Sequence, residues 1–261
     1  SAASDVYKRQ LLSLPLWLLC AQQLCRAGAS RFLDGWLSTY LQEEPLKDRI
    51  DEELRATPVA EDDTWFQLAV KEGERRKAIS DRRKAYANHL TSLPQYAGVI
   101  GGLIGGSLSD WLLRRTGRRR VARNGVAVVS LGIAMLAYLP IFLTPLAEAQ
   151  IAFICLGFFV MSFASPCAYA MSMDIGGRNL AVVFGAMNMV GNFGAAAMLE
   201  AVPQVNRLPG GWTASLILFV AVHAIALVCW LFLNPNRTVG EDPLAGSRLQ
   251  GANPRAGGES S

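Results

Sequence analysis

Histidine is almost missing: His89 and His223 are the two in a chain of 261 residues. The five cysteines, Cys20, Cys25, Cys155, Cys167 and Cys229, form no CxxC pair and no Cys/His spacing that would hold a metal. An enzyme needs a nucleophile–base pair or a metal cluster, so an enzymatic reading is poor, and no metal or cofactor is expected. Cysteines inside apolar runs read as small buried residues. Polar residues are also missing over long stretches. "NGVAVVSLGIAMLAYLPIFL" and "WTASLILFVAVHAIALVCWLFL" lack the polar face that a helix of a soluble bundle shows at every turn.

What is present is apolar and clustered. Hydrophobic residues make up 51% of the chain, and the mean hydropathy is +0.25. They gather in six runs, at 11–33, 90–113, 121–143, 151–173, 180–202 and 212–233. A helix needs about 20 apolar residues to cross ~30 Å of hydrocarbon. The expected class is therefore an all-α polytopic membrane protein.

The net charge of +4 is no nucleic-acid signal, because its main source is one short connection. "GSLSDWLLRRTGRRRVAR" at 106–123 holds Arg114, Arg115, Arg118, Arg119, Arg120 and Arg123. Short basic loops stay cytoplasmic. "TPLAEAQ" on the opposite side has no Lys or Arg, and both ends of the six-span unit then fall on the cytoplasmic side. The long charged connection 43–89 is external by the same logic. It reads as a solvated surface helix with a capping candidate at Asp63, or as a cap over a transport path. The tail 236–261 is rich in Gly, Pro and Ser and is expected to be disordered. "DVYKRQ" at 5–10 resembles the translated end of a sequencing-library transposon. Residues 1–10 are set aside as an artefact, and the natural protein is expected to begin upstream.

Gly98, Gly102 and Gly106 recur every four residues, with Gly101 and Gly105 offset from them. Small residues on one face let a second helix approach closely. Asp110, at the end of that run, can pair with arginines or with a neighbouring helix N-terminus. Such a pair can form in one conformation and break in another; the plainer alternative is a loop that only fixes topology.

Gly106, Asp110, Arg114, Gly117, Arg118 and Arg119 resemble the loop signature of the major facilitator superfamily. In that family the loop lies between the second and third helices of each six-helix half, and here it lies between runs two and three. "WLSTYLQEE" and "SPCAYAMSMDIGGRNLAVVFGAMNMVGNFGAA" are similar to segments of its anion:cation symporter family. The likeness covers about residues 11–235. It implies six transmembrane helices forming the C-terminal half of a twelve-helix organic-anion transporter. Three residues, "WLL", separate Asp110 from Arg114, a spacing usual for the second copy of the signature. The insertion after Gln42 departs from the family's short loop.

Charges inside spans are costly, about 2.5–3.5 kcal/mol at the centre on insertion scales. Arg31 and Asp34 are three apart and can neutralise each other, whereas Arg26 has no acid three or four residues away. "LCRAG" matches the place where some family members carry a substrate-binding Arg, and a guanidinium fork suits a carboxylate. The alternative partner is an acid in the missing half. Trp36 and Tyr40, in the family segment, join Arg26 as candidate substrate contacts. Asn188 and Asn192 share a face with Gly185; they either bind substrate hydroxyls or bond to a neighbouring helix. Ser165 and Tyr169 are further cavity candidates, beside a Pro166 that can kink its helix. His223 shows no partner in the sequence and reads as a satisfied or shielded core residue.

The expected function is secondary active transport of small organic anions, sugar acids or other carboxylates, by alternating access. The expected partners are the anion, a co-transported proton or sodium ion, the bilayer and the missing N-terminal half, with no nucleic acid. The expected place is the bacterial inner membrane, with the C-terminus cytoplasmic. The alternative is a non-transport six-span sensor or integral-membrane enzyme.

Overall fold

The computed structural model describes residues 13–47, Glu52 and 65–235. The segment 1–10 expected to be an artefact, the tail 236–261 and the expected cap Asp63 lie outside the described residues. Pro15 in the first turn opens α1 (Leu14–Gly35), where its missing N–H costs nothing. A short α2 (Leu37–Glu43) follows, then α3 (Trp65–Thr116). A π-helical turn, Val121–Gly125, leads into α4 (Val126–Tyr138) and a 3-10 turn, Leu139–Phe142. Then come α5 (Ala147–Met161), α6 (Ala164–Gly176), α7 (Leu180–Asn206) and α8 (Gly211–Phe232). Among the described residues there is no strand.

Among the described residues, four stretches are long and apolar enough to cross a membrane: Val121–Phe142, Ala147–Gly176, Leu180–Asn206 and Gly211–Phe232. They fall on runs three to six, and the molecule is a polytopic membrane protein. Runs one and two are helical as well, but their composition is weaker. Run one carries Gln22, Gln23, Arg26 and Arg31, with Asp34 just past its end, and run two is diluted by glycine and serine.

Two elements differ in detail from the sequence reading. Run four is broken at Ser162 and Phe163, where α5 stops and α6 begins. Pro166 cannot donate to the Ser162 carbonyl; the Ser165 N–H takes that acceptor instead, at 3.2 Å. The charged helix of the 43–89 connection does not stop before run two. It continues into it as one 52-residue α3, about 78 Å long at 1.5 Å per residue. That exceeds the hydrocarbon thickness of ~30 Å, so the charged half projects beyond it. Arg83 Nη1 donates to the Gln42 carbonyl at 2.7 Å, Ser38 to Asn88 at 2.7 Å and Tyr86 to Glu148 at 2.9 Å. These bonds tie the charged half to α2 and to the start of α5.

α1 packs against α7 and α8, α3 against α5 and α6, and α4 against α5 and α8. The seam of α3 is Gly98, Gly101 and Gly105, where an added Cβ would strike Phe158, Phe159 and Phe163; Gly102 faces open space. Spacings of three and four, not four alone, follow one face of a 3.6-residue helix. Gly194 of α7 lets the backbone of α1 approach at Leu24. Between the helices Phe219 meets Phe32 at 5.0 Å and Tyr138 at 4.9 Å, ring centre to ring centre. His223 is buried beside Tyr138, with its ring nitrogens on the Phe219 carbonyl and the Met161 sulfur. Leu136, Leu143, Phe193 and Phe232 are exposed, as lipid-facing residues would be.

Candidate functional site

Two polar clusters lie within this apolar frame. The first is centred on Arg26 of α1. Its Nε donates to Gln23 Oε1 at 3.1 Å and its Nη1 to Ser165 Oγ on α6 at 3.0 Å. The Tyr169 hydroxyl, one turn further along α6, is a third neighbour of the guanidinium. Among the described residues no carboxylate lies within ion-pair distance of Arg26. The Tyr169 ring packs on Phe184 of α7 at 5.7 Å, so α1, α6 and α7 meet around one cation. The break before Pro166 turns Ser165 into the first turn of α6.

The second cluster lies at the arginine-rich end. Arg123, in the π-helical turn, donates from Nη1 to Ser109 Oγ at 2.7 Å and to Asp110 Oδ1 at 3.0 Å. Its Nε lies 3.7 Å from Asp174 Oδ2, and Arg119 Nε lies 3.8 Å from Asp174 Oδ1. Arg123 and Asp174 are the buried members, with side chains 11% and 17% exposed, whereas Asp110 is 60% exposed. π-Helical turns concentrate at functional sites; here the turn carries the residue that joins α3 to α6. A cavity of 360 Å³ adjoins the second cluster and reaches Tyr169, lined by Gly106, Asp110, Arg123, Pro166, Tyr169 and Asp174 among others.

The remaining candidates distribute as follows. Asn188 donates back to the Phe184 carbonyl of its own helix at 3.0 Å, and Asn192 is exposed. Trp36 and Tyr40 sit at the far end of α1 and in α2; Tyr40, 14 positions after Arg26, is about 21 Å away at helical rise. Tyr40 donates to Gln150 at 2.9 Å and packs on Trp212, which donates to Glu43. Trp36 has a buried indole N–H with no partner among the described residues. Asp110 and Arg119 join the second cluster and Gly106 lines its cavity. Arg114 and Arg118 are exposed, with no ion pair among the described residues. Gly117 ends α3 at φ +64°, a left-handed conformation that suits glycine.

Gln23 and Asp174 were not singled out from the sequence, and Arg123 was counted only among the basic loop residues. Asp174 carried a signal, since an acid at the end of an apolar run wants a cation. Gln23 carried none, because its position beside Arg26 reads as an ordinary turn of helix.

No family model matches the chain. Over 151 residues, 57% of this chain, it is 30% identical to the probable sulfoacetate transporter of Cupriavidus necator. Over 172 residues, 65% of this chain, it is 28% identical to the probable galactarate/D-glucarate transporter of Escherichia coli. The chain is thus similar to two bacterial transporters named for organic anions. The resemblance read from the motifs, to anion:cation symporters of the major facilitator superfamily, is thereby borne out. The matched regions cover 35% and 36% of these transporters, so the chain spans about a third of their length. Both relatives are named for anions, and the Arg26 cluster is a cation held by neutral side chains.

Proposed function

We propose that the chain is the C-terminal six-helix half of a secondary transporter of small organic anions, carboxylates or sugar acids among them. In this reading Arg26 takes the substrate's acid group. The observation that carries it is the Arg26 environment: a charge packed among apolar helices, hydrogen-bonded to Gln23 and Ser165 and left without a counter-ion among the described residues. A cation so placed is costly and usually faces a cavity or a partner. A planar guanidinium keeps donors free for a carboxylate or sulfonate. The names of the two relatives support an anionic substrate.

The gating step follows from α6. Ser165 and Tyr169 at one part of this helix touch Arg26, and Asp174 nearer its end faces Arg123 and Arg119. Nine residues of helix separate Ser165 from Asp174, about 14 Å. A shift of α6 when an anion draws Arg26 away from Ser165 is carried to the ion-pair cluster, where the pairs at 3.7 and 3.8 Å lie beyond hydrogen-bond length. The cluster then acts as a latch whose two states an anion biases. Coupling to a proton or sodium ion, residence in the bacterial inner membrane and a cytoplasmic C-terminus belong to the same proposal.

The test uses the gene restored to full length. Arg26→Ala is expected to abolish anion uptake at near-normal membrane abundance, with Arg26→Lys rescuing poorly because the fork is lost. Wild-type uptake by Arg26→Ala refutes the assignment. Lost abundance, recovered by neutralising an acid in the other half, identifies Arg26 as a structural partner instead.

A further inference from the structure

A cavity of 760 Å³ lies between the start of α4 and the end of α8, sharing only Arg119 with the second cluster. One wall is basic, formed by Arg118, Arg119 and Arg120. The other is apolar, with Val128 and Leu231. Arg118 and Arg120 are exposed and form no ion pair among the described residues, and Arg119 has only the long contact to Asp174. Asn124 lines the same cavity. Its amide nitrogen donates to the Trp230 and Leu233 carbonyls at 2.7 Å each, closing the end of α8. Its Oδ1 is buried and has no donor among the described residues.

We propose that this cavity binds an anionic phospholipid, with the phosphodiester on Arg118 and Arg120 and the acyl chains along α4 and α8. The basic wall supplies charge complementarity, and guanidinium forks match phosphate oxygens. The apolar wall separates a lipid from a free phosphate. Further along the same two helices Val129 and Ile133 of α4 and Val228 and Ile225 of α8 are exposed by 60%, 47%, 49% and 52%. A soluble anion gains nothing from that surface, whereas acyl chains do. Asn124 Oδ1 is the acceptor that a headgroup hydroxyl, as in phosphatidylglycerol, would meet. Basic pockets at the ends of transmembrane helices take acidic headgroups by this chemistry.

The experiment is native mass spectrometry of the full chain in detergent, titrated with phosphatidylglycerol or phosphatidylcholine of the same acyl composition. The wild type is expected to retain phosphatidylglycerol at least about tenfold better, and Arg118→Gln/Arg120→Gln to bind it about thirtyfold more weakly. Because the arginines also set topology, Leu231→Trp is the second variant: it fills the groove, leaves every charge, and is expected to weaken the same adduct. Inorganic phosphate in excess should leave the adduct intact. Equal retention of both lipids, unchanged binding in both variants, or displacement by inorganic phosphate overturns the proposal. Binding is read without transport, so the result stands apart from the substrate assignment.

Discussion

The two acids of the Arg123 cluster differ in burial, and that difference sets an order of effects. Asp174→Asn and Asp110→Asn each remove one charge at constant shape. Asp174 is 17% exposed and faces two guanidiniums at 3.7 and 3.8 Å. At an effective dielectric of about 20, one such pair is worth ~4 kcal/mol before desolvation. Desolvation and the remaining Asp110 and Ser109 partners of Arg123 reduce the net loss to ~2 kcal/mol, about thirtyfold in an equilibrium. Asp110 sits closer, at 3.0 Å, but is 60% exposed. Solvent screening limits its pair to ~1 kcal/mol or less, at most about fivefold. The purified chain in detergent is therefore expected to lose more thermal stability from Asp174→Asn than from Asp110→Asn. Raising salt to about 0.5 M should erase most of the Asp110 effect and little of the Asp174 effect. An Asp110 loss equal to or above that of Asp174, or salt-independent, would refute the burial argument. If the chain works as the proposed transporter, Asp110→Asn should slow turnover more than it weakens substrate binding; equal losses of both would argue against a latch.

Single cysteines placed between 65 and 88, in a background without the native five, should react with an impermeant thiol reagent in intact cells, and cysteines at Arg118 or Arg119 should not; the reverse pattern overturns the topology. Gly194→Val should abolish folded protein, because the new side chain would collide with the Leu24 carbonyl, whereas Gly102→Val faces open space and should be tolerated; abundance by size-exclusion profile reads both. Burial pushes the Tyr40 phenol up to about 12. A raised value means the protonated form is favoured in the folded state, so its contribution is full below about pH 10 and is lost as pH climbs toward 12. Tyr40→Phe should accordingly cost ~1–3 kcal/mol at pH 8, by leaving Gln150 Oε1 unpaired. Its gap to wild type should narrow at pH 11, as read by thermal midpoints; an unchanged gap sinks the assignment.

Class and the positions of runs three to six were legible in the chain itself, because the bilayer demands about 20 apolar residues per crossing whatever the neighbours do. Runs three to six stand as helices where the hydropathy placed them. The cost of a charge in a span also singled out Arg26 before any contact was known. Which residues answer that charge was not legible. Ser165 lies 139 positions away and meets Arg26 only because α1 and α6 pack together around the break at Pro166. Asp110 was recognisable as half of an ion pair, yet a loop with so many arginines offered no choice among them. The π-helical turn made the choice by burying Arg123 between Asp110 and Asp174. Local periodicity follows from the spacing of residues along one helix. Partner choice follows from how helices distant in sequence are brought side by side, and that is decided by close contacts such as Gly194 on Leu24 and Gly101 on Phe159.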